Sequence, residues 1–226
     1  MFDIFRTNKQ LAKDISDAYP QASSFANTIV SVAKSIGTHP YWLANLINFE
    51  SAGTFSPSIK NSLGYVGLIQ FGKPASEDLG VTREYLQSLS AKDQMEYVRR
   101  YFELPHKRRG SDYSNPVDLY MAVFYPLAIG NPQYQFPANV ISANNGINTP
   151  LEYAFRANRN AKLPTGLDAT VPYDPNYKPK ETAITQKEKT TLSIVPNWVW
   201  YVSIPILIGS GILFFNKVKP KRRRKK

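Results

Sequence analysis

The amino-acid sequence predicts a mainly α protein: a globular helical domain, then an extended linker, then a single C-terminal transmembrane helix. Three observations carry this. Apolar residues recur at spacings of three and four over several segments flanked by helix-capping residues, and no convincing set of alternating strands is present. Residues 162–194 hold Pro164, Pro172, Pro175 and Pro179 in a polar stretch without periodicity. An uncharged run of 19 residues, 197–215, precedes a tail in which eight of the last ten residues are basic.

The elements follow in order. Apolar spacing predicts helices over 10–18 and 22–36, with Gly37 as a stop. Thr38-His39-Pro40 opens a helix leading to Glu50, with Pro40 in its first turn. A short helix is expected over 82–89. Ser90 to Asp93 has the form of a capping box, with Asp for Glu, before a helix over 94–102. Asn115-Pro116 starts another through Phe124. Thr149-Pro150-Leu151-Glu152 is a complete capping-box pattern opening a helix to about Arg159. Glu77 and Asp78 read as a surface turn, and short strands near 65–71 stay open. No internal repeat is visible.

Composition narrows the chemistry. At 226 residues, with 42% hydrophobic and 13% aromatic, the chain suits one moderate domain with a core plus appendages. It has no cysteine, so disulfides, zinc-thiolate sites and a cysteine nucleophile are excluded. His39 and His106 are the only histidines, which leaves little for a multi-histidine metal site or a Ser-His-Asp triad. No metal or cofactor is expected. The net charge is +11, but without the eight tail cations it is +3, so the basic character belongs to a tail rather than to a nucleic-acid-binding fold.

Leu43, Leu46, Ile47 and Glu50 fall at i, i+3, i+4 and i+7, which is one helix face. Burial of a carboxyl there disfavours its charged form and raises its pKa, as a general acid requires. The alternative is a glutamate at a frayed helix end facing solvent. The chain continues Glu50-Ser51-x-Gly53-x-Phe55-x-Pro57, then Asn61-x-x-Gly64-x-x-Gly67-Leu68-Ile69-Gln70-Phe71. The next acidic residues after Glu50 are Glu77 and Asp78, so no second carboxylate is obviously placed beside it.

This series resembles the catalytic signature of the soluble lytic transglycosylases within the lysozyme-like superfamily. That family has a Glu-Ser pair at a helix end and a Gly-Leu-Met-Gln-like segment some way on. Here Gly67-Leu68-Ile69-Gln70 begins 17 residues after Glu50, with Ile69 in place of Met. The family's later Tyr-Asn-x-Gly turn is best matched by Tyr125, but Pro126 replaces the Asn. The stretch 119–126, together with 143–147 and the helix after Thr149, is similar to lysozyme-like domains carried by phage particles. The likeness spans roughly residues 35–160.

The resemblance implies a lysozyme-like fold that acts on peptidoglycan glycan strands. Glu50 would protonate the leaving oxygen of the β-1,4 bond between MurNAc and GlcNAc. The substrate's N-acetyl carbonyl would stabilise the oxocarbenium-like centre. Glu50, now a carboxylate, would take the C6-hydroxyl proton and close a 1,6-anhydro ring. Ser51 and Gln70 would hydrogen-bond the sugar or its acetamide, with Phe71, Tyr120 and Tyr125 also against substrate. Other readings stand beside these. Ser51 is alternatively a helix-terminal hydroxyl, and Phe71 and Tyr120 are equally core aromatics. Lys107-Arg108-Arg109 meets peptide-stem carboxylates or is a solvated loop. Hydrolysis by water (a muramidase) and a non-catalytic structural or glycan-binding protein are the rival functions, the latter favoured by Tyr125-Pro126. A cellular wall-remodelling enzyme is a third.

The expected organisation is a lysozyme-like transglycosylase domain over 1–161, a Pro/Lys/Thr-rich linker over 162–194, a membrane helix over 195–216 and a polybasic tail over 217–226. Nineteen helical residues reach about 28 Å, close to the thickness of a hydrocarbon core. Trp198, Trp200 and Tyr201 form an interfacial belt, and Pro205 is tolerable in such a helix. Residues 1–20 are polar and mixed in charge, so no signal peptide is expected and the anchor is single and C-terminal. It would sit in the lipid bilayer of a phage virion or of the bacterial inner membrane. The positive-inside rule keeps the tail cytoplasmic, while moving a large domain across without a signal opposes that orientation. The tail suits anionic lipid or packaged nucleic acid. The linker would span up to about 100 Å if fully extended as polyproline. Leu163-Pro164-Thr165-Gly166 is one residue short of a sortase signal and lies too far before the apolar run.

Overall fold

Side-chain caps set where most helices begin. In the computed structural model, which describes residues 6–104, 107 and 113–167, the described chain is 59% helix and has no strands. The Thr7 side chain accepts the Gln10 N–H and opens α1, Asn8–Ala18. A 3-10 turn, Pro20–Phe25, then leads into α2, Ala26–Ile36, in place of the single helix expected over 22–36. Pro20 at the head of that turn cannot donate a backbone hydrogen bond, and the chain takes the tighter winding before α2. Gly37, at φ 81°, ends α2 in the left-handed conformation that glycine adopts without Cβ cost. His39, rather than Thr38, caps α3, Pro40–Glu50: its ring Nδ1 accepts the Tyr41 N–H at 3.2 Å.

Glu77 and Asp78 end a short helix, α4 (Lys73–Asp78), instead of forming a turn; Pro74 stands in its first turn. Thr82 caps α5, Arg83–Ser88, and Ser90 caps α6, Ala91–Glu103, each through its hydroxyl. Asn115 caps α7, Pro116–Phe124. The six-residue α8, Ala138–Ala143, lies in a stretch with no expected helix. Thr149 caps α9, Pro150–Ala157. The reciprocal arm of that capping box goes one residue further back: Glu152 Oε2 accepts the Asn148 N–H at 2.7 Å. In the stretch where strands stayed open, the chain makes two isolated antiparallel bridges, Lys60 with Val66 and Val66 with Phe71.

α3 runs through the core, packed against α1, α2 and α7, with α6 also against α2 and α9 against α7. Its buried residues Leu43, Ala44, Leu46 and Ile47 are wholly enclosed. Buried Asn45 belongs to a polar knot. The Tyr19 hydroxyl donates to Asn45 Oδ1 at 2.7 Å and accepts the Lys162 N–H at 2.9 Å; Asn45 Nδ2 donates to Leu163 O at 3.1 Å.

That knot carries contacts past residue 161, the expected end of the domain. Residues 162–167 lie on the domain: Leu163 is buried, and Gly166 packs so closely on Trp42 that a Cβ there would come within 2.5 Å of the ring. The Leu163-Pro164-Thr165-Gly166 motif is therefore part of this strap. Among the described residues, no helix is long and apolar enough to cross a membrane. The expected membrane helix, 195–216, and tail, 217–226, lie outside the described residues, as does the linker beyond 167.

Candidate active site

Glu50 is the last residue of α3, and it points inward, 5% exposed. The solvent-facing alternative is not the one adopted. Burial pushes its pKa from 4.5 up to about 8, and burial is the sole cause: no neighbouring charge contributes. The Oε2 atom is buried and has no hydrogen-bond partner among the described residues.

Tyrosines on three helices feel the charge of this carboxyl. Tyr101 on α6, Tyr120 on α7 and Tyr153 on α9 are buried, and the charge of Glu50 helps raise the pKa of each, after burial itself. Two of the three hydroxyls are engaged elsewhere. Tyr101 donates to Ala122 O at 3.0 Å, and Tyr120 donates to Asn158 Oδ1 at 3.0 Å. The Tyr153 hydroxyl is buried and, like Glu50 Oε2, has no partner among the described residues. Its ring is held firmly, stacked on Phe124 at 3.8 Å and edge-on to Phe49 at 6.1 Å. Buried polar atoms without partners are costly and uncommon in native proteins, about 1–3 kcal/mol each. Two of them in one electrostatic neighbourhood are what a site for a hydroxyl-bearing ligand would offer.

The chain leaves α3 through a tight reversal. Ala52 and Gly53 both take positive φ, 50° and 78°, and the Gly53 N–H donates to Asn48 O at 2.7 Å. Ser51 is fully buried, and its Oγ accepts the Phe55 N–H at 2.9 Å, so its hydroxyl holds the turn. Phe55 then packs against Tyr19 and Phe25, at centroid distances of 5.2 and 6.3 Å.

The second motif forms a compact turn. Val66 and Phe71 pair by backbone bonds of 3.1 and 2.7 Å, closing the loop between them. Gln70 sits at φ 54°, an uncommon conformation for a residue with a side chain. It is buried, and its Nε2 donates to Gly67 O at 3.1 Å. Phe71 is buried edge-on to Tyr101, 5.9 Å between centroids, and through Tyr101 the turn reaches the surroundings of Glu50.

All five residues expected to touch substrate, Ser51, Gln70, Phe71, Tyr120 and Tyr125, are buried. Of these, Tyr120 is the one whose electrostatics tie it directly to Glu50. Phe71 and Tyr120 pack as core aromatics. Tyr125 ends α7 among Phe124, Tyr134 and Phe136, and burial followed by its hydrogen bond with Tyr134 raises its pKa. Pro126 next to it starts a 3-10 turn, Pro126–Ala128. Lys107 is partly buried: its ammonium lies 4.7 Å from the Tyr101 ring, and burial pulls its pKa down to about 8. Arg108 and Arg109 lie outside the described residues.

Sequence reasoning missed Tyr101, Tyr153 and the buried carboxylate of Asp118. Asp118 accepts the Gly130 N–H at 2.7 Å, holding the chain beyond α7 in place, and it has no part in raising the Glu50 pKa. Tyr153 follows Glu152 of the capping box on the apolar face of α9, where nothing in the sequence separates it from an ordinary core aromatic. Glu77 is exposed and paired with Lys73. Among the described residues, no group of three or more metal-ligating side chains comes together. A surface depression of about 430 Å3 lies elsewhere, against Ile147, Glu152, Phe155, Arg156 and Arg159. Comparison with protein-family models, with curated proteins and with solved structures finds no match for this chain.

Proposed function

We propose that this protein is a peptidoglycan lytic transglycosylase of lysozyme-like fold. In this reading it cleaves the MurNAc–GlcNAc β-1,4 bond with formation of 1,6-anhydro-muropeptides. The observation that carries the reading is Glu50: a lone carboxyl, kept protonated at neutral pH by burial alone, with one oxygen unpaired. A hydrolase with two carboxylates would pair the acid with a second group able to act as nucleophile or base. Glu50 has no such neighbour among the described residues, so one residue serves as acid and then as base. In the first step the Glu50 proton passes to the glycosidic oxygen as the C1–O bond breaks, and the substrate's acetamide supports the electron-poor C1. In the second, the Glu50 carboxylate takes the proton of the C6 hydroxyl, whose oxygen bonds to C1. The Tyr153 hydroxyl, unpaired in the same surroundings, is the group on hand to orient the C6 hydroxyl.

A membrane anchor over 195–216 fits this reading, with the domain acting on one local patch of wall and the 217–226 tail binding anionic lipid or packaged nucleic acid. The site of action is the membrane of a phage virion or the bacterial inner membrane, and detection in purified particles selects the former. The test of the activity is digestion of purified murein sacculi by the full chain. Anhydro-muropeptides in the mass spectrum support a transglycosylase, and reducing ends mean a muramidase. One observation favours a second reading, a glycan-binding or structural protein without catalysis: Glu50 and all five expected substrate-contacting residues are enclosed. Well-folded protein that binds sacculi and releases nothing would establish it.

A further inference from the structure

The Gln94 side chain joins three separate stretches of chain. It sits on α6 and is wholly buried. Its Oε1 accepts the Leu68 N–H at 2.7 Å. Its Nε2 donates to Pro57 O at 3.0 Å and to Leu86 O at 2.7 Å. Both amide donors are thus used, one on the segment after Glu50 and one at α5, while the carbonyl holds the turn that carries Gln70. The fit extends to shape. A Cβ on Gly67, whose φ is 79°, would lie 2.4 Å from Gln94 Oε1 and 2.6 Å from Nε2. Gly67 is glycine for two independent reasons, its left-handed backbone and the amide lying where a side chain would start.

We propose that Gln94 is a positioning residue: it locks the Gly67–Gln70 turn against α6 and the post-Glu50 segment, and so sets the glycan-binding geometry at Gln70. The second half of this rests on the transglycosylase reading; the first does not. A hydrophobic residue of the same length would leave the buried Leu68 N–H without its partner and take one donor each from Pro57 O and Leu86 O, the latter still accepting the Leu89 N–H at 3.4 Å. Because Gln94 has no part in the titration of Glu50, loosening the turn changes substrate binding without changing the acid.

The test uses the full chain in detergent micelles with the substitution Gln94→Met. Hydrogen exchange at the Leu68 amide should speed up by about 10-fold or more, with helix α2 amides unchanged, as expected from losing one buried hydrogen bond. On soluble uncrosslinked glycan strands, KM should rise by about 10-fold and kcat should stay within about 3-fold, with the alkaline limb of the pH profile still near 8. Unchanged exchange at Leu68, or a uniform rise across all helices, would overturn the lock. Loss of active protein at unchanged KM would overturn the positioning role. Gln94→Glu keeps the acceptor for Leu68 and loses one or both donors. It should protect Leu68 more than Gln94→Met does, and equal exchange in the two variants also counts against the lock. Exchange is read without turnover, so an inactive wild type would refute the transglycosylase reading and leave this arm intact.

Discussion

The surroundings of Glu50 and the turn around Gly67 sit close in the fold and treat their polar groups in opposite ways. In the turn, the buried polar groups are paired: Leu68 N–H to Gln94, Gln70 Nε2 to Gly67 O, Val66 to Phe71 in both directions. Around Glu50, two buried polar atoms, Glu50 Oε2 and the Tyr153 hydroxyl, are unpaired. Paired groups define a single arrangement and make a scaffold. Unpaired groups cost stability, and binding something else is one role that offsets the cost. Under the transglycosylase reading, the difference would separate the residues that hold the site from those that act in it, a division the motif itself does not mark.

Four experiments break or sharpen this comparison. The largest effect is on activity. Glu50→Gln should lower turnover of sacculi by about 1000-fold or more, the order of losing a general acid, while circular dichroism stays unchanged. Retained turnover would remove Glu50 from the chemistry.

The same substitution should stabilise the fold in a pH-dependent way. Below pH about 4.5 both folded and unfolded chains hold the Glu50 proton, and wild type and variant are alike. Between there and pH about 8 the unfolded chain releases the proton and the folded one keeps it, so wild-type stability falls as pH rises. At pH 7 the variant should be the more stable by ~3 kcal/mol, since each pH unit over which only the folded chain holds the proton is worth ~1.4 kcal/mol. Urea titrations at pH 4.5 and 7 measure this, and a gap that does not widen with pH would contradict the buried, protonated carboxyl.

On the scaffold side, Gly67→Ala should destabilise by ~2–4 kcal/mol, combining a left-handed alanine with overlap against Gln94. Thermal melts of the variant check it, and a neutral result would mean that the amide moves aside freely.

The smallest effects have opposite signs. Tyr153→Phe removes an unpaired hydroxyl and should stabilise by ~1 kcal/mol while lowering turnover about 10-fold. Tyr120→Phe strands Asn158 Oδ1 and should destabilise by ~1 kcal/mol. Equal signs in the two melts would erase the distinction between paired and unpaired tyrosines.

Much of the helical layout was legible because capping acts over three or four residues. Thr82, Ser90, Asn115 and Thr149 cap the helices expected of them, and Gly37 stops α2. Helices α4 and α8 were not expected; neither has a side-chain cap to announce it, whereas the equally short α5 has Thr82. The strap over 162–167 reads as linker in the sequence because its ties run to Tyr19 and Asn45, more than a hundred residues away. Asp118 and Gln94 look like ordinary helix-surface residues there, since their partners come from other elements.

By itself the sequence determined that the domain is helical, where most helices start, and that a carboxyl stands on an apolar face at the end of α3. Those properties depend on neighbours within one or two turns. Only the tertiary structure decided that Glu50 is buried, that its charge acts on Tyr101, Tyr120 and Tyr153, and that Gln94 pins the Gly67 turn. Desolvation and the pairing of buried polar groups arise where distant segments exclude water together, and no local pattern records which segments those are.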